Sequence, residues 1–146
     1  MICQNKRARH DFAIERKLEA GLVLRGTEVK ACRDGRAQIN EAWVQVQNGE
    51  AFLVGSHIAE YKAGNRFNHP PERPRKLLLH KKEIDKLEVD TRQRGQAAVP
   101  LAMYFKDGRV KLEVGVGTGK SHVDRRDDIK EREVRREMER ARRRTR

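Results

Sequence analysis

The side chains that could support catalysis or bind a nucleotide are few in this sequence, and their spacing is poor. Residues 115–121 imitate a phosphate-binding loop, in which backbone N–H groups hold the phosphates of a nucleotide. That motif requires four residues between its first glycine and its Gly-Lys-Ser end, and the frames that begin at Val114 and at Gly115 both fail. No parallel βαβ unit is predicted after the run either, so nucleotide hydrolysis is rejected.

The histidines and cysteines do not predict a metal site. His57, His69 and His80 have no Cys or carboxylate at ligand spacing, and surface positions are expected for all three. Cys3 and Cys32 are too few for a disulfide framework or a zinc site, and Cys32 is expected to be half-buried near the end of a helix. No cofactor is predicted. The acidic residues are dispersed, so a nuclease or another enzyme is the weakest functional hypothesis.

The composition favours binding of a polyanion. The chain has 34 Lys and Arg against 22 Asp and Glu, which gives a net charge of +12. Such an excess repels itself and is relieved by phosphates, and RNA is the predicted partner. An anionic membrane is the competing surface, but the basic C-terminal residues lack the Trp, Phe and Leu of a lipid-facing stripe. A cytoplasmic location is expected, since neither a membrane span nor a secretory signal is visible.

Residues 119–146 are predicted to form a basic tail that is separate from a folded domain at 1–118. The tail contains twelve Lys or Arg against seven Asp or Glu and almost nothing to bury. From Asp127 onward its acids and bases recur at i,i+4 helical spacing, as in Glu131 and Arg135. We expect a tail that is disordered when free, because about 18 residues of this kind are only marginally helical in isolation. RNA would supply the missing free energy of folding.

The elements that must position the RNA-binding residues are mainly strands. Short strands are predicted around residues 12–14 and 20–24, followed by a helix that Thr27 caps and Asp34-Gly35 ends. Two hairpins are predicted: residues 39–46 with 51–58, turned at Asn48-Gly49, and residues 97–105 with 110–116, turned at Asp107-Gly108. Pro100 suggests an edge or a bulge.

The connection between the hairpins is predicted to hold a loop and a helix. Residues 60–75 are rich in Gly, Asn and Pro and indicate a loop. Residues 76–94 fit a helical period that Gly95 ends, with a break near Asp90. The glycines at 115, 117 and 119 are expected to loosen the exit from the last strand. The predicted fold is mainly β, an OB-type small barrel with two or three accessory helices and a flexible basic C-terminal tail.

The order of short motifs along the chain resembles the SsrA-binding protein family, SmpB. The similarity is collinear and covers nearly the whole sequence. The motifs are NKRARH at 5–10, EAG at 19–21, GTEVK at 26–30, RKLLLH at 75–80, EIDKL at 83–87, GK at 119–120, DRR at 124–126 and IKERE at 129–133.

The resemblance implies a factor of trans-translation that is not an enzyme. In this family the barrel is expected to grip the tRNA-like domain of transfer-messenger RNA and to deliver it to the A site of a stalled ribosome. The tail is expected to become helical in the empty mRNA channel, so that the nascent peptide is tagged for proteolysis and the ribosome is rescued. The implied partners are transfer-messenger RNA, the small-subunit rRNA and, through the RNA, elongation factor Tu and alanyl-tRNA synthetase.

The resemblance also implies roles for individual residues. Those expected to grip the tRNA-like domain are Asn5, Glu19, Leu78 and Lys111. Those expected at the decoding centre or in the mRNA channel are His10, Lys120, Asp124, Arg125, Arg126, Lys130 and Arg132. Chemically, a carboxylate accepts hydrogen bonds from base edges or a 2′-hydroxyl, an exposed leucine packs on a base, and a lysine binds phosphate. Taken alone, Glu19 is more simply a solvated strand end, Leu78 a core residue and Lys111 an exposed strand residue.

The tail departs from the family pattern at three positions. Ser121 stands where a second Lys is usual, Val123 where an aromatic residue or His is common, and Arg125 where Lys is usual. Stacking at position 123 and one phosphate contact are therefore in doubt. The alternative hypothesis is a generic basic OB-type RNA binder, such as a ribosomal protein, which would lose RNA affinity alone when its tail is deleted.

Overall fold

The computed structural model describes residues 1–61, 68–93 and 95–119, and this part of the chain is mainly β with three helices. The helices are α1 (Lys6–Asp11), α2 (Gly26–Arg33) and α3 (Lys81–Arg92). The strands are β1 (Cys3–Gln4), β2 (Phe12–Leu22), β3 (Ala37–Gln38), β4 (Trp43–Gln47), β5 (Glu50–Val54), β6 (His57–Ile58), β7 (Arg75–Leu78), β8 (Gln96–Lys106) and β9 (Arg109–Gly119).

Seven strands form one antiparallel sheet in the order β1-β8-β9-β2-β7-β5-β4, and β3 pairs with β6 separately. The sheet curves, because Cα atoms of β4 and β8 come within 8 Å of one another although these strands are far apart in the order. The inner face is filled by apolar side chains that alternate with polar ones along the strands. The fully buried members include Leu53, Leu77, Met103 and Leu112, and Leu87 of α3 belongs to the same core.

Both predicted hairpins are confirmed. Asn48 and Gly49 have φ values of 54° and 75° between β4 and β5, and Asp107 and Gly108 have 53° and 76° between β8 and β9. Positive φ at both central residues is typical of the two-residue turn that matches strand twist. The register of β8 on β9 shifts between Pro100 and Ala102, where the sequence predicts an edge or a bulge.

Residues 76–94 do not form one helix, and that prediction is wrong. Arg75 and Leu77 are buried while Lys76 and Leu78 are exposed, so this stretch has the period of a strand and pairs with β2 and β5. The helix begins only at Lys81. There the Glu83 carboxylate accepts a hydrogen bond from the N–H of His80 at 3.1 Å, a capping interaction that the sequence analysis missed. The helix is continuous to Arg92, without the expected break near Asp90.

Other corrections concern β2, β9 and α2. Residues 12–22 form one strand with an irregularity between Ile14 and Arg16, in place of two short strands. The glycines at 115, 117 and 119 lie within β9, and Gly117 lets β2 approach closely, because a Cβ on Gly117 would lie 2.1 Å from the Ala13 carbonyl oxygen. The exit from β9 lies outside the described residues, so its loosening stays a prediction. Arg25, not Thr27, occupies the N-cap of α2.

Two predictions of burial also change. Cys32 is fully buried in α2, where the surrounding apolar atoms raise the pKa of its thiol to about 12. His57 and His80 are exposed as expected, but His69 is buried. Its ring is hydrogen-bonded to Thr27 Oγ1 at 2.8 Å and to the Ile58 carbonyl at 2.9 Å, which satisfies both nitrogens.

A buried ion network fixes the beginning of β7 against α2. Arg75 Nε donates to Glu28 Oε2 at 2.7 Å, and both side chains are fully buried. Arg73 donates to Glu28 Oε1. Arg75 Nη1 donates to the carbonyl and hydroxyl oxygens of Ser56 at 3.1 and 3.0 Å, and its Nη2 donates to the Pro71 carbonyl at 2.9 Å. The two buried charges of this network, on Glu28 and Arg75, are therefore both paired, as interior ionic groups require.

The predicted loop at residues 60–75 is confirmed as irregular where it is described, at 60–61 and 68–74, and β7 begins at Arg75. One side chain joins the described residues on either side of 62–67. Asn68 accepts a hydrogen bond from the Tyr61 N–H at 3.0 Å and donates to the Tyr61 carbonyl at 2.6 Å. Tyr61 in turn lies 5.5 Å from Lys30 Nζ, measured to the ring centroid, at cation–π distance.

Candidate nucleic-acid interface

Three of the four residues predicted to grip RNA come together on the outer face of the sheet. Gly21 on β2 is in register with Leu78 on β7 and with Lys111 on β9, and Lys111 is in register with Tyr104 on β8. Cross-strand partners project from the same face of a sheet. Glu19 lies two residues before Gly21 and so shares that face. The four strands therefore carry one continuous row of an apolar, a basic and an aromatic side chain, with a carboxylate beside it.

A groove of about 650 Å³ follows this row, and Glu19, Leu78 and Lys111 all line it. Lys76, His80 and Glu83 extend its rim toward the beginning of α3. The groove is open and mixed in charge, which suits a polar polymer that lies along it more than a small molecule enclosed by it.

Leu78 has a small neighbour that lets it lie across the sheet. Its side chain is 55% exposed, which is high for a leucine within a strand. A Cβ added to Gly21 would lie only 3.2 Å from Leu78 Cβ, tighter than an ordinary contact. The simple interpretation of Leu78 as a core residue is therefore wrong, and an exposed apolar side chain beside a lysine is available for a base or a ribose.

Glu19 is held in one orientation although it is exposed to solvent. The Tyr104 hydroxyl donates to Glu19 Oε2, and Lys106 Nζ lies 3.3 and 3.4 Å from the two carboxylate oxygens. The hydrogen bond from Tyr104 is the main cause of a lowered pKa for Glu19, and Lys106 and Lys111 add to it. Desolvation and the carboxylate raise the pKa of Tyr104 to about 12, so the hydroxyl remains a donor at neutral pH. Glu19 is therefore ionised and oriented, as a hydrogen-bond acceptor for RNA must be.

Tyr104 and Lys106 contact Glu19 beside the groove, and the motifs of the sequence did not predict them there. Their positions could have been predicted from the sequence, because the two-residue turn at Asp107-Gly108 fixes the register of β8 on β9. Counting back from that turn pairs Lys106 with Arg109 and Tyr104 with Lys111. Because Tyr104 pairs with Lys111 on the outer face, Tyr104 and Lys106 lie on that face as well.

Asn5 is not on this surface. Its side chain is buried, accepts from the Ala8 N–H at 3.0 Å, and donates to the carbonyls of Ile39 and Pro100 at 3.0 and 2.9 Å. These bonds cap α1 and join it to β8 and to the chain beside β3. In this structure the buried Asn5 side chain positions the N-terminal helix, and a contact between Asn5 and RNA stays a prediction.

His10 lies apart from the groove, in the last turn of α1. Its ring is largely exposed and Nδ1 is 3.1 Å from Asp11 Oδ1. The remaining predicted residues lie outside the described part of the chain: Lys120, Asp124, Arg125, Arg126, Lys130 and Arg132. The same holds for Ser121 and Val123 and for the predicted tail as a whole after Gly119.

Within residues 1–61, 68–93 and 95–119, no group of three or more His, Cys, Asp or Glu side chains could hold a metal ion. Across the same residues no helix combines the length and the apolar character needed to cross a bilayer.

Known proteins are similar to this chain over almost its whole length. The family model described as SmpB protein matches residues 2–144. The SsrA-binding protein of Geotalea uraniireducens (strain Rf4) is 55% identical over 138 residues, which are 94% of this chain and 91% of that protein. The SsrA-binding protein of Thermobifida fusca (strain YX) is 55% identical over 145 residues, 99% of this chain and 91% of that protein.

A solved structure is also similar. A chain from the structure described as "tmRNA-SmpB: a journey to the center of the bacterial ribosome" superimposes with a TM-score of 0.69 at 40% identity, covering 82% of this chain and 85% of that one. This chain belongs to the SmpB family.

Proposed function

We propose that this protein binds transfer-messenger RNA and acts with it in trans-translation, as a binding factor and not as an enzyme. The observation that carries the proposal is the convergence of Glu19, Leu78 and Lys111, from three different strands, on one groove of a chain that belongs to the SmpB family. The names of the relatives and the description of the similar solved structure support transfer-messenger RNA and the ribosome as partners.

The groove would recognise RNA through three complementary contacts. Glu19 would accept hydrogen bonds from base edges or a 2′-hydroxyl, Leu78 would pack on an unstacked base or ribose, and Lys111 would neutralise a phosphate. Asn5 would contribute indirectly, because it holds α1 in place. The substrate would be the tRNA-like domain, and the fold around the groove would be an OB-type barrel that occupies residues 1–118.

The finer mechanism concerns the ribosome. The protein would deliver transfer-messenger RNA to the vacant A site in the cytoplasm, with His10 stacked on a small-subunit rRNA base. Residues 119–146 would be disordered in the free protein and would fold as a helix along the empty mRNA channel, with Lys120, Asp124, Arg125, Arg126, Lys130 and Arg132 contacting rRNA. Elongation factor Tu and alanyl-tRNA synthetase would act through the RNA.

The test of RNA binding is a gel-shift titration of the full chain with three ligands: the tRNA-like domain, a transfer RNA and a random RNA of equal length. We expect Leu78→Ala to weaken binding to the tRNA-like domain about tenfold, the effect of losing roughly 1.4 kcal/mol of contact. Val89→Ala is the matched control, because Val89 is similarly exposed at 59% but lies on α3 away from the groove lining. Equal affinity of the wild-type chain for all three RNAs would refute the proposed RNA specificity.

The test of the tail uses a reconstituted ribosome stalled on a message without a stop codon. A chain that ends at Gly119 should keep its affinity for the tRNA-like domain and lose peptide tagging. The generic RNA binder, the alternative function, predicts a loss of affinity only. Tagging at the level of the full chain would contradict the role proposed for the tail.

A further inference from the structure

A second, smaller cleft adjoins the groove at the end of β2, and we call it the turn cleft. It has a volume of about 190 Å³ and lies between the end of β2, helix α2 and the β8–β9 turn. Its walls include the apolar side chains of Leu22, Leu24, Val29 and Leu78. Leu78 is thus shared between the groove and the turn cleft, with contact area available on both sides.

The rim of the turn cleft is basic. Arg109 and Lys111 line it beside the backbone of Gly108 and Val110, and none of the described residues that line it is a carboxylate. This differs from the larger groove, where Glu19, Glu50 and Glu83 are present. An apolar floor with two cations at its edge fits a ligand that is flat and apolar in one part and anionic beside it.

The turn that carries Arg109 is defined in geometry. Asp107 and Gly108 both have positive φ, and Arg109 follows them as the residue paired with Lys106. A two-residue turn of this kind leaves little freedom in where the next residue begins. The cation is therefore held near the cleft by the backbone, and only its side chain must order when a ligand binds.

The size of the cleft selects among ligands. Pockets for drug-sized molecules usually measure about 300–1,000 Å³, so a cleft of 190 Å³ suits a single ring system and excludes a stacked pair. Proteins recognise RNA chiefly through unstacked bases placed on apolar or aromatic side chains, with the flanking phosphates on Lys and Arg.

We propose that the turn cleft accepts one unstacked base of the bound RNA, with Arg109 and Lys111 on the phosphates that flank it. The inference rests on the proposed function, because the ligand is the RNA that lies in the neighbouring groove. It adds an apolar anchor for that base, formed by Leu22, Leu24 and Val29, none of which is among the residues predicted to grip the RNA.

The first experiment fills the cleft. Val29→Phe should weaken binding of the full chain to the tRNA-like domain at least tenfold, while Val89→Phe, the same change on α3, should stay within twofold of the wild type. Thermal melts followed by circular dichroism establish that both variants fold. A folded Val29→Phe protein that binds as tightly as the wild type overturns the inference.

The second experiment locates the base and does not depend on Val29→Phe folding. Unpaired nucleotides of the tRNA-like domain are replaced one at a time by abasic nucleotides and titrated with the wild type and with Arg109→Ala. We expect one abasic position to weaken wild-type binding about tenfold. Arg109→Ala should reduce the slope of log K against log salt by about one, as loss of one phosphate contact does.

The outcomes separate the two proposals. If Leu78→Ala weakens binding and no single abasic position does, the groove stands and the turn cleft is not a base site. If neither the groove variants nor the cleft variants alter binding, the proposed function itself fails. An unchanged salt slope for Arg109→Ala overturns the phosphate contact.

Discussion

Glu28→Gln should destabilise the fold strongly, because it removes the carboxylate of the buried network and leaves the two guanidinium groups of Arg73 and Arg75 in place. The substitution keeps the shape of the side chain but leaves the buried Arg75 guanidinium without a counter-ion. Breaking a buried pair in this way costs about 3–5 kcal/mol. For a chain of 146 residues, each kcal/mol lowers Tm by roughly 3–4 °C, so we expect a decrease of about 10–20 °C.

The measurement is thermal unfolding followed by circular dichroism, with guanidinium chloride titrations to check that the m value is unchanged. Glu41→Gln is the matched control, because Glu41 pairs with Arg7 at 3.4 Å at the surface with both side chains mostly exposed. A surface pair of this kind contributes about 0–1 kcal/mol. A decrease in Tm for Glu28→Gln no larger than that for Glu41→Gln would refute the idea that the network holds β7 against α2.

The pH dependence gives an independent check. Burial raises the pKa of Glu28, but the hydrogen bonds from Arg73, from the Arg25 backbone N–H and from Arg75 outweigh burial and leave the pKa below its usual value. A lowered pKa in the folded state contributes stability that is fully present above the unfolded value of about 4.3 and is lost as pH falls through the folded value. The difference in unfolding free energy between the wild type and Glu28→Gln should therefore be large at pH 7 and shrink below about pH 4.

The remaining predictions concern the groove and the sheet. Tyr104→Phe and Glu19→Gln should each weaken binding to the tRNA-like domain about three- to tenfold. The double variant should lose no more affinity than Glu19→Gln alone, because Tyr104 is proposed to act by orienting Glu19. Additive losses of affinity in the gel-shift titration would contradict this role of Tyr104. Gly117→Ala should abolish cooperative unfolding, since its Cβ would overlap the Ala13 carbonyl, and a wild-type melting curve would disprove that close approach. Asn5→Ala should lower the free energy of unfolding by about 2–4 kcal/mol, because it leaves two buried carbonyls without donors and removes a helix cap. A change below about 1 kcal/mol would show that other contacts hold α1 in place.

The parts of the fold that the sequence predicts well are those that depend on local geometry. Asn48-Gly49 and Asp107-Gly108 define tight turns because only a few residue types accept positive φ, and each turn also fixes the register of its strands. The same register places Tyr104 beside Lys111, so part of the site could be derived from the turn alone. The prediction of one helix over residues 76–94 is wrong because the leucines at 77–79 fit both a helical and a strand period.

Burial is the property that local patterns predict least well. Asn5, Glu28, His69 and Arg75 are polar, and composition gives such residues surface positions by default. They are buried because each meets hydrogen-bond partners that are distant in the chain: Asn5 reaches Ile39 and Pro100, and Arg75 reaches Glu28. Only the folded arrangement brings these partners together. For the same reason the resemblance to SmpB indicated that Asn5 matters but not how it acts.

Two hydrogen bonds join Asn68 to Tyr61, and these contacts do not depend on how many residues lie between the two. Because Tyr61 and Asn68 are joined directly, residues inserted between them should destabilise the fold little, since the entropy of closing a loop costs only roughly 0.6 kcal/mol more per doubling of its length. A fluorescent or affinity peptide inserted between Tyr61 and Asn68 should therefore leave the contacts of β6, β7 and the groove undisturbed.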